Sequence, residues 1–149
     1  MNRYQKSFLI NSSIVIIATF FDVIGMINFK DWVNRSEAMR AMEQIGQIVQ
    51  NYRKENGSVP PESYINSIKE DLPGNLRVGN LTYRGRWISI ESPPDEILAY
   101  SKRIYRSWFV EKGYIVLRLD GDVEWMKIEE FESLLASQQS FVETEMMKK

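Results

Sequence analysis

The feature that most constrains this chain is an apolar segment near its start. Of the 23 residues from Ser7 to Phe29, 15 are apolar, and Asp22 is the ionisable exception. A helix of this length rises ~34 Å, slightly more than the ~30 Å hydrocarbon thickness of a bilayer. A cleaved signal peptide fits worse, because its apolar region would be shorter, roughly 7–15 residues, with a small-x-small cleavage site after it. The segment therefore predicts a retained transmembrane helix over residues 7–29. A buried helix of a soluble fold is the alternative.

Charges beside this segment predict its orientation. Arg3 and Lys6 precede it, whereas Lys30 and Asp31 offset each other just after it. Basic residues favour the cytoplasmic side. Residues 1–6 are therefore predicted to be cytoplasmic, with residues 30–136 forming a single extracytoplasmic domain and residues 137–149 a loose polar tail.

Asp22 is the costly residue of the segment. An ionised carboxylate at mid-membrane costs on the order of 2.5–3.5 kcal/mol. The sequence leaves two explanations open: Asp22 lies toward the outer interface or is protonated, or it pairs with a neighbouring subunit. On the second explanation Asp22, with Ile17 and Phe21 of the apolar anchor, mediates subunit association in the membrane.

An amphipathic stripe follows the anchor. Its apolar residues recur three or four positions apart, which is typical of a helix with one buried face. The stripe consists of Ala38, Ala41, Met42, Ile45, Ile48, Val49 and Tyr52. No Pro interrupts the chain before Asn56-Gly57, so one helix is predicted from about Ser7 to Asn56, with Gly57 as its cap. The residues expected to fasten this helix to the rest of the domain are Ala38, Met42, Ile45, Val49 and Tyr52.

Beyond Pro61 the pattern changes from helical to alternating. A short helix around Tyr64–Ile68 is followed by short strands with hairpin-like breaks, which imply antiparallel pairing. The predicted strands are Leu76–Tyr83, with a bulge at Gly79-Asn80, then Arg86–Glu91, Ile97–Ser101, Tyr114–Leu119 and Val123–Trp125. A last short helix covers Ile128–Leu135. The sequence thus predicts an α+β fold: a long N-terminal helix packed on a small antiparallel sheet, with a short C-terminal helix.

Composition excludes most familiar active sites. The chain has no Cys and no His, so it lacks a thiolate nucleophile, a disulfide and the usual base at neutral pH. No phosphate-binding loop accompanies its carboxylates. We expect no catalysis, no cofactor and no metal. The formal net charge of −1 does not by itself recruit nucleic acid.

Charge is distributed unevenly along the chain, although the net charge is close to zero. Residues 76–118 carry eight Lys or Arg against four Asp or Glu, whereas residues 119–149 carry three against eight. Such complementary regions suggest head-to-tail contact between subunits, with a mixed solvated surface as the alternative. Aromatic residues lie among the basic ones, yet strand residues such as Tyr83 and Trp87 are more often core, so we expect no nucleic-acid partner.

The order of elements resembles the bacterial type IV pilin-like proteins, close to the pseudopilins of type II secretion. The similarity covers the anchor, the stretch from Arg35 to Pro60 at the helix exit, and the strand–turn–strand segment from Tyr114 to Trp125. The usual prepilin junction, Gly-Phe followed shortly by Glu, is replaced by Ser7-Phe8 with Ser12 where the Glu would fall.

The resemblance implies a structural or accessory subunit of a secretion or pilus-type assembly. Its implied partners are the lipid bilayer of the bacterial inner membrane, other pilin-like or secretion-system subunits, and further copies of itself. The alternative is a membrane-tethered module that binds a ligand through Tyr105, Arg106 and Trp108.

Three carboxylates near the end of the predicted sheet have two interpretations. Some pseudopilins hold calcium in this region, and Asp120, Asp122 and Glu124 supply oxygen ligands of the kind that calcium prefers. Asp120-Gly121 is also a preferred hairpin turn, which would leave the three carboxylates on one solvated strand face. The turn is the favoured interpretation, because too few ligands are visible for a calcium site.

Overall fold

The architecture is α+β, as the sequence predicts. The computed structural model describes residues 2–71, 78–89, 91–105 and 110–147. In chain order the elements are α1 (Arg3–Asn56), α2 (Glu62–Asp71), β1 (Leu81–Tyr83), a 3₁₀ turn (Gly85–Trp87), β2 (Ile97–Arg103), β3 (Gly113–Arg118), β4 (Val123–Lys127), α3 (Ile128–Gln138) and α4 (Phe141–Met147).

The first helix runs unbroken through both the apolar segment and the amphipathic stripe. Its 54 residues span about 81 Å at ~1.5 Å per residue. Asn2 caps the start, because its side chain accepts from the Arg3 N–H while Gln5 accepts from the Asn2 N–H. Gly57 ends the helix with φ 68°, and its N–H donates to the Arg53 carbonyl over 2.8 Å. The predicted end at Asn56 is confirmed, and the helix begins four residues before Ser7.

Four strands form one antiparallel sheet in the order β1-β2-β3-β4. Two strand predictions are wrong in detail. The strand predicted at Leu76–Tyr83 is reduced to Leu81–Tyr83, with Gly79 (φ 67°) before it rather than in a bulge. Residues 76 and 77 lie outside the described residues.

The strand predicted at Arg86–Glu91 is replaced by the 3₁₀ turn. This happens because the Trp87 N–H bonds back to the Arg84 carbonyl over 2.8 Å, which turns the chain out of the sheet directly after β1. Residue 90 lies outside the described residues. The last three predicted strands are present, each with slightly shifted ends.

The sheet buries both of its faces. One face packs on α1, where a core cluster joins helix residues to Leu98, Ala99, Ile115 and Leu117. The other face packs on α3, where Phe131 stacks on Tyr114 with ring centroids 3.9 Å apart. This explains why β3 has an unbroken apolar core, Tyr114–Leu117, instead of alternating residues.

The predicted loose tail is wrong for the residues that the structure describes. Residues 141–147 form α4, and its Glu143 is 1% exposed. Glu143 Oε1 and Oε2 accept from Arg84 Nε and Nη2 over 2.6 and 2.9 Å. Arg84 is fully buried and also donates to the Ile97 carbonyl over 2.6 Å. The tail is therefore ordered by a buried ion pair to the turn after β1.

Candidate functional site

None of the described parts of the chain covers the apolar segment of α1. Its most apolar window has a mean hydropathy of 2.0 and is 0% buried, so the helix is long and apolar enough to cross a membrane. Ile17 and Phe21 are 54% and 67% exposed, and Asp22 is exposed as well. Ile17 and Phe21 lie one above the other, four residues apart, whereas Asp22 is about 100° farther round the helix from Phe21.

Polar side chains of this segment bond to their own helix. The Ser13 and Thr19 hydroxyls donate to the carbonyls of Leu9 and Val15 over 2.8 and 2.9 Å. The Asn28 amide donates to the Ile24 carbonyl over 2.8 Å in the same way. These internal bonds reduce the cost of placing hydroxyl and amide groups in lipid. Asp22 has no such bond described within the helix, so it remains the costly residue of the anchor.

The distal half of α1 packs into the domain core. Ala38, Met42, Ile45 and Val49 are each 0–1% exposed and belong to the cluster between α1 and the sheet. Tyr52 is only half-buried, and its ring lies 5.0 Å from that of Tyr64. Tyr52 thus contacts α2, and it also lies close enough to Tyr83 of β1 to act on the pKa of that phenol.

Gly46 is a packing residue that the sequence analysis missed. It is buried, and a Cβ at this position would lie 2.8 Å from Leu117 Cδ1 and 3.3 Å from the Gly121 carbonyl oxygen. Gly46 lets the backbone of α1 approach the β3–β4 turn. The sequence feature that indicates this role is a glycine four residues after Met42, on the buried stripe of a helix, where glycine is otherwise unfavourable.

Two hydrogen bonds hold this turn against the helix. Gln50 Nε2 and Arg53 Nη1 both donate to the Leu119 carbonyl, over 2.6 and 2.9 Å. The β3–β4 turn therefore marks the end of the domain farthest from the anchor. Because β2 and β4 run antiparallel to β3, the residues at their C-terminal ends lie at the end nearest the anchor.

At that near end, four residues form what we call the proximal cluster: Arg35, Arg103, Tyr105 and Trp125. The Arg35 guanidinium lies 4.2 Å from the centroid of the Trp125 ring, and the Tyr105 ring lies 5.9 Å from it. Burial raises the pKa of the Tyr105 phenol and lowers the pKa of the Arg103 guanidinium. Arg106 and Trp108, predicted to bind ligand together with Tyr105, lie outside the described residues.

No protein-family model, curated protein or solved structure matches this chain.

The carboxylates after β3 form a turn. Asp120 Oδ1 accepts from the Asp122 N–H over 3.0 Å, and Gly121 has φ 97°. Glu124 pairs with Arg118 on the neighbouring strand. Since β4 begins at Val123, the three carboxylates do not share a strand face as predicted. Within the described ranges no group of three or more acidic residues is arranged to hold a metal ion.

Opposite charges of the basic and acidic regions meet within one chain. Arg84 pairs with Glu143, and Arg118 pairs with Glu124. These intramolecular pairs account for part of the charge complementarity that suggested head-to-tail contact between subunits.

Proposed function

We propose that this chain is a membrane-anchored, pilin-like structural or accessory subunit of a secretion or pilus-type assembly. Its N-terminus would lie in the cytoplasm and its domain outside the bacterial inner membrane. One observation carries the proposal: a single unbroken helix has an apolar half with no buried residue in its most apolar window, and a second half whose apolar face is buried in the core of an antiparallel sheet domain.

Continuity of the helix favours an assembly subunit over a simple tether. A flexible linker would let a domain reorient on its anchor. Here the same hydrogen-bonded helix leaves the apolar segment and fills the core from Ala38 to Val49. Contacts made by the anchor in the membrane therefore fix the position of the domain outside, which is what a structural subunit requires.

Asp22 gives the anchor a reason to associate. An exposed carboxylate on an isolated membrane helix is costly, and a neighbouring helix that supplies a hydrogen-bond donor reduces that cost. Ile17 and Phe21 offer an adjacent apolar ridge for close packing. We infer that this side of the anchor faces another subunit, whether a second copy or a different pilin-like chain.

Site-specific crosslinking tests the association. The chain contains no Cys, so single substitutions report on one position each. We expect Phe21→Cys to form disulfide-linked dimers, or mixed crosslinks with a partner, in native membranes. Val23→Cys is the matched control, because this exposed position lies about 160° around the helix from Phe21 and about 100° from Asp22. Equal crosslinking at both positions would refute a specific face.

The charge is tested separately. We expect Asp22→Leu in the Phe21→Cys background to lower the crosslinked fraction, because it removes the carboxylate that favours association. Thr19→Val in the same background should leave that fraction unchanged, because the Thr19 hydroxyl already donates to its own helix. Extraction of the full chain from membranes by alkaline carbonate would refute the anchor itself.

A tethered ligand-binding module is the second candidate. It is favoured by the unpartnered hydroxyl of Tyr105, which lies in the proximal cluster. A protein that leaves the membrane as a monomer after mild detergent treatment and then binds a soluble ligand would favour this function. Copurification with secretion or pilus components favours the assembly subunit.

A further inference from the structure

Three buried hydrogen-bond donors of the proximal cluster have no acceptor among the described residues. Arg103 Nε, Arg103 Nη2 and the Tyr105 hydroxyl are shielded from solvent, and none of them has a hydrogen-bond partner among the described residues. Tyr105 is only 9% exposed as a whole residue. A buried donor without a partner costs ~1–3 kcal/mol, more when it is charged, so such groups usually indicate an absent ion or water.

The chemistry of these donors suits an anion with two or more oxygens. Nε and Nη2 form one edge of the guanidinium, and this edge can donate two parallel bonds to a carboxylate or phosphate. Tyr105 adds a hydroxyl donor two residues away along the chain. Every unpaired atom of the cluster can donate, and the guanidinium atoms cannot accept, so an oxyanion suits the set better than a cation.

The charged groups around Tyr105 also favour an anion. Arg103 and Arg35 both act on Tyr105 as positive charges, and Asp31 is the carboxylate that opposes them. Arg35 is held above the Trp125 ring, 4.2 Å from its centroid, and it also lines an open groove of about 440 Å³ with Trp32, Arg40 and Glu43. Among the described groups that act on Tyr105, two cations therefore face one carboxylate.

Position along α1 suggests where the anion comes from. Arg35 follows the last apolar residue of the anchor, Phe29, by six residues, or about 9 Å of helix rise. Headgroups occupy roughly 5–8 Å on each side of the hydrocarbon core. Helix side chains also tilt toward the N-terminus, which here means toward the membrane. Trp32 is 61% exposed and stacked near Phe29, as expected for a tryptophan at the lipid–water interface.

We propose that Arg103 and Tyr105, assisted by Arg35, bind the phosphate of an anionic phospholipid headgroup in the leaflet beneath the domain. The two side chains turn their shielded donors toward the headgroup, which is open to Arg103 because the residue as a whole is only partly buried. Arg103 then donates two hydrogen bonds and Tyr105 one, while Arg35 contributes charge. This site orients the domain on the membrane surface. The inference rests on the membrane anchorage of the proposed function, but not on assembly with other subunits.

Lipid retention tests the site. The full chain is reconstituted into nanodiscs of phosphatidylcholine, with or without added phosphatidylglycerol, and the lipids kept by each chain are counted by native mass spectrometry. We expect the wild type to retain phosphatidylglycerol in preference to phosphatidylcholine. Tyr105→Phe removes only the unpartnered hydroxyl, so it should weaken retention about tenfold or more and leave thermal stability in pure phosphatidylcholine unchanged or higher.

Two arginine variants separate geometry from charge. Arg103→Lys keeps the charge but loses the two-donor edge. We therefore expect Arg103→Lys to retain phosphatidylglycerol no better than Arg103→Gln does. Arg86→Gln is the matched control, because it removes the same charge from an exposed residue in the 3₁₀ turn. Equal loss in Arg86→Gln and Arg103→Gln would mean general attraction of a basic protein to an acidic surface, and would overturn the proposal.

Other occupants give different results. Inorganic phosphate is titrated against the full chain in detergent. If it stabilises the wild type as much as phosphatidylglycerol does, and Tyr105→Phe abolishes the effect, the site binds soluble phosphate and the lipid source is wrong. If neither probe has an effect, the donors bond to water and the site is refuted. Failure of the chain to insert into nanodiscs at all would instead refute the anchorage of the proposed function.

Discussion

Glu143→Ala is the substitution for which the structure gives the clearest energetic expectation. Glu143 is 1% exposed and accepts two hydrogen bonds from Arg84, which is itself fully buried. The substitution leaves a buried guanidinium without its main counter-charge. Breaking a buried pair in this way costs about 3–5 kcal/mol.

The contacts that Arg84 keeps after the substitution determine how large the loss of stability is. After the substitution Arg84 still donates to the Ile97 carbonyl over 2.6 Å and keeps a longer contact, 3.6 Å, to the Glu96 carboxylate. Glu96 is mostly buried and supplies part of the missing charge. We therefore expect the lower end, about 3 kcal/mol.

Urea denaturation of the full chain in mild detergent, followed by tryptophan fluorescence, measures this free energy of unfolding. Glu132→Ala is the matched control, because it removes an exposed glutamate from α3 and should change stability by less than about 0.5 kcal/mol. The double variant Arg84→Met/Glu143→Leu removes both charges and should recover most of the loss. A cost for Glu143→Ala no larger than that of the control would refute the role of this pair.

Three further predictions concern packing and ionisation. Gly46→Ala should lower the free energy of unfolding by about 1–3 kcal/mol, because its Cβ would lie 2.8 Å from Leu117. Gly25→Ala is the control and should not lower it, because a Cβ there meets nothing within 4 Å. Equal urea midpoints for the two variants would contradict the close approach at Gly46. Gly57→Ala should lower the free energy of unfolding by about 1–2 kcal/mol in the same assay, because alanine is strained at the positive φ of this position. An unchanged urea midpoint would contradict this expectation. Burial raises the pKa of Tyr83, so stability should be independent of this group below the unfolded pKa of about 10 and should fall as pH rises above it. Tyr83→Phe should flatten that decline in urea midpoint, and an unaltered slope would count against the prediction.

Elements encoded by local sequence agree with prediction. The 3.6-residue spacing of apolar residues and the absence of Pro predict α1, and Gly57 ends it where a left-handed cap was expected. The hairpin between β3 and β4 likewise follows from Asp120-Gly121. In both cases the decisive interactions join residues close in the chain, so a short window contains the information.

The candidate site was only partly predictable. Ala38, Met42, Ile45 and Val49 lie in the core cluster, whereas Tyr52 lies at its margin, half-buried against Tyr64. The unpaired donors of Arg103 were not found from sequence, because an arginine near a strand end is usually solvated. Only the packing around it reveals that two of its donors are shielded from water.

By itself, the sequence determines that this chain has an apolar helix long enough to span a bilayer, a second amphipathic stripe continuous with it, and a small α+β domain. Hydrophobic periodicity and backbone-restricting residues suffice for this. Only the tertiary structure decides that Arg84 is buried, that the C-terminal residues form a helix held by Glu143, and that β1 is followed by a turn instead of a strand. Arg84 and Glu143 are 59 positions apart, and the free energy of burying a charge depends on whether the fold brings its partner into contact.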